Sequence, residues 1–222
     1  MKEPDNRYPD TYFAKRSLND DRRQKSFKFE KSLLQKYVDF EGTICDVGCS
    51  TGEFLTSIGW TGPKYGMEIN QYAINMAKKS GISFDKNIKT IENFFDVVVF
   101  RGTIQLLPDP FRYIMYAHKA IKKGGVICFL ATPNANCIVY KLFNTLPALE
   151  PKLNFFMPSD IVLNQILDNC GFNIVEVEKP YLNSPYAMPL RDHLLFVASL
   201  VGLRKPNFPF WGNMMNLIAV KR

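Results

Sequence analysis

Ile44-Cys45-Asp46-Val47-Gly48-Cys49-Ser50-Thr51-Gly52-Glu53-Phe54 is the stretch on which the reading of the fold turns. A short apolar run ends in Asp-x-Gly, passes through small residues and meets a further glycine before helical spacing begins. Glycine lets a backbone approach a ligand closely and supplies positive φ where a turn demands it. A helix opening after such a turn presents unpaired N–H groups, a natural seat for a carboxylate. Asp46, at the end of the strand, is placed to accept hydrogen bonds from an ammonium group, directly or through water. Strand, glycine turn and helix in this order predict the first unit of an α/β sheet.

The alternation continues outward from this loop. Residues 20–38 read as a helix with Phe27, Leu33, Leu34, Tyr37 and Val38 on one broad face, ended by Gly42. Residues 64–69 read as a second strand, and Asn70 as the cap of a helix carrying Ala73, Met76 and Ala77 that Gly81 stops. Residues 82–85, 95–100 and 126–131 are expected as strands three to five. Before the fifth, a helix with Phe111, Ile114, Met115 and Ile121 runs up to Gly124-Gly125. Continuously apolar strands separated by helices predict a doubly wound, mostly parallel sheet covered on both faces, with ligands beyond the strand carboxyl ends.

After Thr132-Pro133 the pattern changes. Residues 133–157 read as an irregular or partly helical cover, Ser159 caps a further helix, and residues 173–177 and 216–220 read as the last strands. A proline-rich insertion between them holds the apolar run 194–203, expected to pack on the domain because it lacks the strongly basic face of a membrane-surface helix. The chain divides as one domain, 1–222. Residues 1–40 form an N-terminal helical segment or lid, 41–132 the cofactor-binding core, and 133–222 the substrate cover with the last strands.

Composition narrows the function. Among 222 residues, 46% are hydrophobic and 22% charged, enough apolar content for a real core. The formal charge of +7 is dispersed, with no basic block interleaved with aromatics. It reads as a solvated surface compatible with an anionic small partner, and no nucleic acid is expected. Five cysteines form no Cys-x-x-Cys pair and only two histidines are present, so no metal site is expected and the cysteines read as small buried hydrophobes. No run is long enough to span a bilayer, and the first residues lack an apolar signal core; a cytoplasmic location is expected.

Residues 46–52 resemble the first motif of class I S-adenosylmethionine-dependent methyltransferases, usually Asp-x-Gly-x-Gly-x-Gly, with Ser50 in place of the middle glycine. Phe95-Asp96-Val97-Val98-Val99-Phe100 resembles the fourth-strand motif of that family. Leu107-Pro108-Asp109-Pro110 and Lys122-Lys123-Gly124-Gly125 resemble the segments flanking its next helix. The likeness covers residues 43–132 in order. It implies a Rossmann-like methyltransferase fold, S-adenosyl-L-methionine as cofactor and S-adenosyl-L-homocysteine as product. The implied cofactor residues are Asp46, Gly48, Cys49, Gly52, Glu68, Ile69, Asp85, Arg101 and Gly102. Glu68, ending the second strand, is suited to accept from the ribose hydroxyls, as acidic residues there do in dinucleotide folds. Asp85 is suited to meet the adenine amino group. A nicotinamide cofactor is disfavoured, because no Gly-x-Gly-x-x-Gly is present.

The acceptor side is less sharply written. Related small-molecule methyltransferases often carry Glu-His where this chain has Gln105-Leu106, which removes a histidine base from that position. Of the remaining imidazoles, His118 reads as a helix-boundary residue. His193 is the catalytic candidate, with a structural role beside Asp192 as the alternative. Residues 186–193 and 208–215 resemble bacterial methyltransferases of surface-polysaccharide and sugar-derivative biosynthesis. That resemblance implies an oxygen acceptor on a sugar, nucleotide-sugar or phosphorylated precursor. Tyr12, Asn134, Asn136, Tyr186 and Arg191 are expected to shape its pocket. The alternatives are a nucleic-acid or protein methyltransferase, or a non-catalytic cofactor-binding subunit.

Calorimetric titration tests the cofactor reading. The protein is expected to bind S-adenosylmethionine and S-adenosylhomocysteine but not NAD. Gly48→Arg is expected to lose that binding and Glu68→Ala to weaken it; a preference for NAD would overturn the assignment.

Overall fold

The computed structural model describes residues 8–15, 20–85, 87–147, 149 and 154–222. Of the expected N-terminal segment, residues 1–7 and 16–19 lie outside the described residues. The first helices are α1 (Asp10–Lys15) and α2 (Asp21–Leu34), and β1 (Ile44–Val47), α3 (Glu53–Ser57), β2 (Lys64–Met67), α4 (Gln71–Lys79) and β3 (Ile82–Ser83) follow. Next come β4 (Phe95–Arg101), a 3-10 turn at Ile104–Leu106, α5 (Pro110–Ala120) and β5 (Ile121–Pro133). The cover and closing elements are α6 (Ile138–Phe143), α7 (Asp160–Asn169), β6 (Phe172–Glu178), α8 (Pro189–Leu200) and β7 (Met214–Lys221).

Seven strands line up in the order β3-β2-β1-β4-β5-β7-β6. The first five are parallel, and β7 runs antiparallel between β5 and β6. The order reverses between β1 and β4, which opens a crevice above their carboxyl ends. Helix starts follow the sequence signals. The side chains of Asp20, Asn70, Asp109 and Ser159 each accept a backbone N–H from the first turn of α2, α4, α5 and α7 respectively.

Successive residues of the central strands feed opposite faces of the sheet. Val98, Phe100, Ile127 and Phe129 pack with Ile114 and Ala117 of α5 and with Leu163 and Leu167 of α7. Val97, Val99, Cys128 and Leu130 pack with Phe27 and Leu34 of α2 and with Phe54 of α3. A third cluster, Val139, Leu146, Tyr181, Phe208 and Phe210, holds the C-terminal insertion together. All five cysteines are buried and unbridged, as small hydrophobes in a core are.

β2 and β3 end two residues earlier than the sequence predicts, and β5 begins earlier. Ile121, assigned by periodicity to the helix, already pairs with Phe95, and β5 runs through Gly124-Gly125. A Cβ at Gly125 would stand 2.9 Å from the Asp96 carbonyl oxygen, so the glycine pair lets two strands approach rather than separating helix from strand. β5 also slips register against β7 between Phe129 and Thr132. Ala131 adopts φ 44 there, and its N–H is taken up by the Asn216 side chain at 2.8 Å.

One buried ion pair fastens α2 to the sheet. Glu30 accepts from Arg101 Nε at 2.7 Å and Nη2 at 3.0 Å, and from Ser26 Oγ at 3.0 Å. The guanidinium carbon lies 4.5 Å from the centroid of the Phe27 ring and 5.4 Å from that of Phe54. Removing one partner strands a charge in a site with little water. Glu30→Gln is therefore expected to destabilise the fold by about 3–5 kcal/mol, read as a lower urea midpoint.

Candidate active site

The loop after β1 is shaped by backbone conformation. Gly48 has φ 79 and Gly52 φ 80, and Ser50, standing where the resembled motif has glycine, adopts φ 53. A Cβ on Gly48 would come within 2.5 Å of Thr103 Cγ2, so this position is closed to side chains by contact as well as by conformation. Gly48 and Cys49 donate their N–H groups to the Met67 carbonyl at 2.7 and 3.2 Å, tying the loop to the end of β2. Cys49 turns its thiol into the core, where its sulfur lies 2.6 Å from the point a Cβ on Gly66 would occupy. Only its backbone belongs to the loop surface.

Glu68 braces this loop. One carboxylate oxygen accepts the Ser50 N–H at 3.0 Å; the other accepts those of Ile69 at 2.7 Å and Asn70 at 3.0 Å. A carboxylate has about four lone-pair sites, which leaves acceptor capacity for ribose hydroxyls. Asn70 caps α4 with its oxygen and donates its amide to Asp10 at 2.9 Å, which docks α1 beside the end of β2. Ile69 is exposed, and Gly102 follows β4 with φ 61. Asp85 is exposed beyond β3, its carboxylate accepting from Ser83 Oγ at 2.9 Å.

Beside the loop lies a cleft of about 330 Å³. Asp20, Arg23 and Glu30 of the α2 side face Arg101, Tyr186 and Asn213 across it, with Pro185, Pro209 and Phe210 as apolar walls. Arg23 pairs with Glu53 at 2.7 Å, and Arg101 with Glu30. Both guanidiniums in the cleft thus already hold a carboxylate. Burial raises the Tyr186 phenol above its ordinary value, with Asp20 adding to the rise and Arg101 opposing it.

The expected site residues divide accordingly. Asp46, Gly48, Gly52, Glu68, Ile69 and Gly102 gather around the loop. Arg101 stands between loop and cleft, held by Glu30 rather than directed at the loop, and Tyr186 lines the cleft. Asn134 is fully buried, its side-chain oxygen accepts the N–H groups of Asn136 and Asp160, and its own N–H is donated to the carbonyl of the cleft residue Asn213 at 2.9 Å. Asn136 likewise donates to Asp160 at 3.0 Å, so both asparagines fasten the cover to α7 from behind. Arg191 is not part of the cleft wall. It pairs with its neighbour Asp192 at 2.7 Å, because that carboxylate is buried and requires a counter-charge.

His193 places its Nδ1 2.7 Å from the Pro189 carbonyl one helical turn back, its ring packs against Phe210 and Tyr181, and it is absent from the cleft wall. His118 packs edge-on against Phe172. Tyr12, exposed on α1, packs with Tyr8 and Phe13 and is not part of the cleft wall. The sequence reading missed Asp20, Arg23, Glu30, Asn213 and Asn216. The signals were an i, i+4, i+7 row of Arg23, Phe27 and Glu30 on α2, and one asparagine in the otherwise apolar start of β7.

The loop fits the implied cofactor. Asp46 is buried, and its Oδ1 has no hydrogen-bond partner among the described residues. A buried orphan acceptor at the end of β1 is what a ligand ammonium group would satisfy. Burial lifts its carboxyl from 3.8 to about 7, against the pull of Arg101 and with Glu68 and Glu30 adding to the rise.

Comparison with known proteins shows the family and the fold. The family described as "Methyltransferase domain" matches residues 15–177. Ribosomal protein L11 methyltransferase of Clostridium botulinum is 28% identical over 160 residues, covering 66% of this chain and 42% of that protein. Ubiquinone biosynthesis O-methyltransferase of Nitrosomonas europaea is 30% identical over 108 residues, 43% of this chain and 46% of that one. The matched region thus spans less than half the length of these curated relatives. A SAM-dependent methyltransferase of Thermotoga maritima superposes with TM-score 0.62 at 16% identity, covering 90% of this chain and 92% of that one. Magnesium protoporphyrin IX methyltransferase of Synechocystis, solved with SAH bound, gives TM-score 0.60 at 12% identity, covering 90% and 84%.

Asp46 makes binding pH-dependent. Its raised carboxyl contributes stability to the free protein below the ordinary value of 3.8, a contribution lost as pH rises through about 7. A ligand ammonium favours the ionised form, so affinity for S-adenosylhomocysteine is expected to rise with pH through about 7, with proton release below it. Titration calorimetry in buffers of different ionisation enthalpy measures this. Asp46→Asn is expected to bind more weakly and to flatten the profile.

Proposed function

Since the chain belongs to the class I S-adenosylmethionine-dependent methyltransferases, with S-adenosylmethionine as its cofactor, we propose that it methylates an oxygen of a small acceptor seated in the cleft beside α2. The observation that carries this reading is the cleft itself. At about 330 Å³ it has the size of a small-molecule site, with apolar walls and a few convergent polar groups. It is not the open, basic groove that a nucleic acid needs.

The charge balance favours an uncharged reacting group. Arg23 and Arg101 are both neutralised, so the cleft supplies little surplus positive charge for a phosphate. A sugar or nucleotide-sugar hydroxyl suits the proline and phenylalanine walls together with Asn213 and Tyr186. Oxygen as the target is supported by the likeness to ubiquinone biosynthesis O-methyltransferases, and the L11 methyltransferase likeness supports the protein-directed rival. A role in surface-polysaccharide biosynthesis rests on the resemblance of residues 186–193 and 208–215.

When bound, S-adenosylmethionine supplies an electrophilic methyl on a cationic sulfur. The chain's task is to align an acceptor lone pair and to exclude water. Glu68 and the glycine loop would hold the cofactor and Asp46 its ammonium group, while the Glu30–Arg101 pair fixes the wall between the two ligands. No imidazole lines the cleft among the described residues, so the proton shed by an acceptor hydroxyl passes to a carboxylate, with Asp20 as the candidate.

Methyl transfer from labelled cofactor to sugars, nucleotide-sugars, sugar phosphates, peptides and RNA tests this function. Turnover of a sugar-type hydroxyl is expected. Asp20→Asn is expected to lower kcat by about a hundredfold or more, and His193→Ala to change it by less than about threefold. Transfer confined to peptide or RNA would sink the proposal. Cofactor binding without turnover of any acceptor would point instead to a non-catalytic subunit.

A further inference from the structure

Helix α8 carries large apolar residues on its outward face as well as on its inward one. Its inward face carries Asp192, fully buried, and Ser199, 5% exposed. Asp192 accepts from the Met188 N–H, the Tyr181 hydroxyl and Arg191, and Ser199 donates to the Leu195 carbonyl. Its outward face carries Leu190 at 79% exposure, Leu194 at 63%, Val197 at 57% and, just past its end, Val201 at 66%. These four positions follow an i, i+4, i+7, i+11 spacing, a single narrow stripe. An ordinary surface helix turns its apolar stripe to the core and its polar residues outward. Here Leu195 and Phe196 pack inward on the aromatic cluster beside Asp192 and Ser199, and a second apolar stripe is left facing out.

The surroundings extend the same surface. Leu203 is 79% exposed, followed by exposed Arg204 and Lys205, and Trp211 is half exposed against Tyr181 at 4.7 Å. From residue 179 to 222 the chain has six Lys and Arg but a single side-chain carboxylate, the buried Asp192. No exposed side-chain carboxylate in this segment would therefore repel a negatively charged partner.

We propose that the outward face of α8 seats the chain flat on an anionic lipid bilayer, with the leucine stripe in the acyl boundary and Arg204 and Lys205 at the headgroups. At 12 residues α8 is far shorter than a span, and no helix among the described residues is long and apolar enough to cross a membrane, which fits a peripheral mode. The basic contribution comes from the residues following the helix, not from its polar face, which the sequence reading had sought on the helix alone. A second copy of the chain is the less suitable occupant. A twofold contact through this face would bring the Arg204–Lys205 pairs of both copies together with no exposed carboxylate of the segment to offset them. The face also adjoins the cleft: Tyr186 precedes α8 by three residues, and Phe210 stacks on Phe196 of α8 at 4.6 Å.

Vesicle flotation with phosphatidylcholine alone and with added phosphatidylglycerol tests the proposal, using the full chain, Leu194→Asp and the double variant Arg204→Glu, Lys205→Glu. Retained S-adenosylhomocysteine binding reports that each variant is folded. The wild-type chain is expected to float with phosphatidylglycerol vesicles at least about tenfold better than with phosphatidylcholine, and added salt should weaken that binding. Each variant is expected to lose about tenfold or more in binding to the anionic vesicles. Absence of wild-type binding to anionic vesicles, or equal binding to neutral ones, would overturn it. So would a dimer in sedimentation velocity that Leu194→Asp dissolves, since that would assign the face to a second copy.

Discussion

The pair between Glu30 and Arg101 is the constraint around which the carboxyl edge of the sheet is arranged. Arg101 ends β4, where the order of the sheet reverses, and its guanidinium lies against Phe27 and Phe54 while meeting Glu30 on α2. A charge so enclosed is tolerated only with its hydrogen bonds made, which holds α2 in one place over the sheet. With α2 fixed, Arg23 reaches Glu53 at the start of α3, and one wall of the cleft is set. The same pair influences Asp46, whose carboxyl is moderated by Arg101 and raised further by Glu30. Fold, glycine loop and cleft thus share a single electrostatic element.

The loop after β1 is held in its shape from two sides. Thr103 leaves no room for a side chain at Gly48, whose N–H is held by the Met67 carbonyl at the end of β2, and Glu68 anchors the N–H of Ser50, whose positive φ is costly for a residue with a Cβ. The serine replacing a motif glycine is therefore compatible with the loop because a carboxylate from the neighbouring strand supports it. Glu68 carries two tasks: it stabilises the loop, and it keeps acceptor capacity for a ligand.

The C-terminal insertion follows a different logic. Its own aromatic cluster, centred on Phe208 and Phe210, gives it a small core beside the main one. Asp192 sits under α8 as the acceptor for the Met188 N–H leading into the helix, and its buried charge commits the neighbouring Arg191 to it. Leu195 and Phe196 of α8 join that cluster, Leu190, Leu194 and Val197 face outward, and His193 is turned back onto its own helix.

By itself the sequence determined the α/β alternation, the helix caps, the glycine loop, the acidic residue ending β2 and the family. These are local: each depends on a few adjacent residues whose spacing fixes strand, turn or cap wherever they occur. It could not tell that Gly124-Gly125 lies within a strand, since that depends on the closeness of β4. Nor could it tell that Asn134, Asn136 and Arg191 would be consumed by Asp160 and Asp192. The cleft was decided by tertiary structure alone. Its polar lining comes from positions 20 to 30, 101, 186 and 213, and which of these distant segments share a wall is not written in the spacing along any one of them. The inward or outward sense of α8 was likewise a matter of packing, because an apolar run reads the same whichever side it presents to the core.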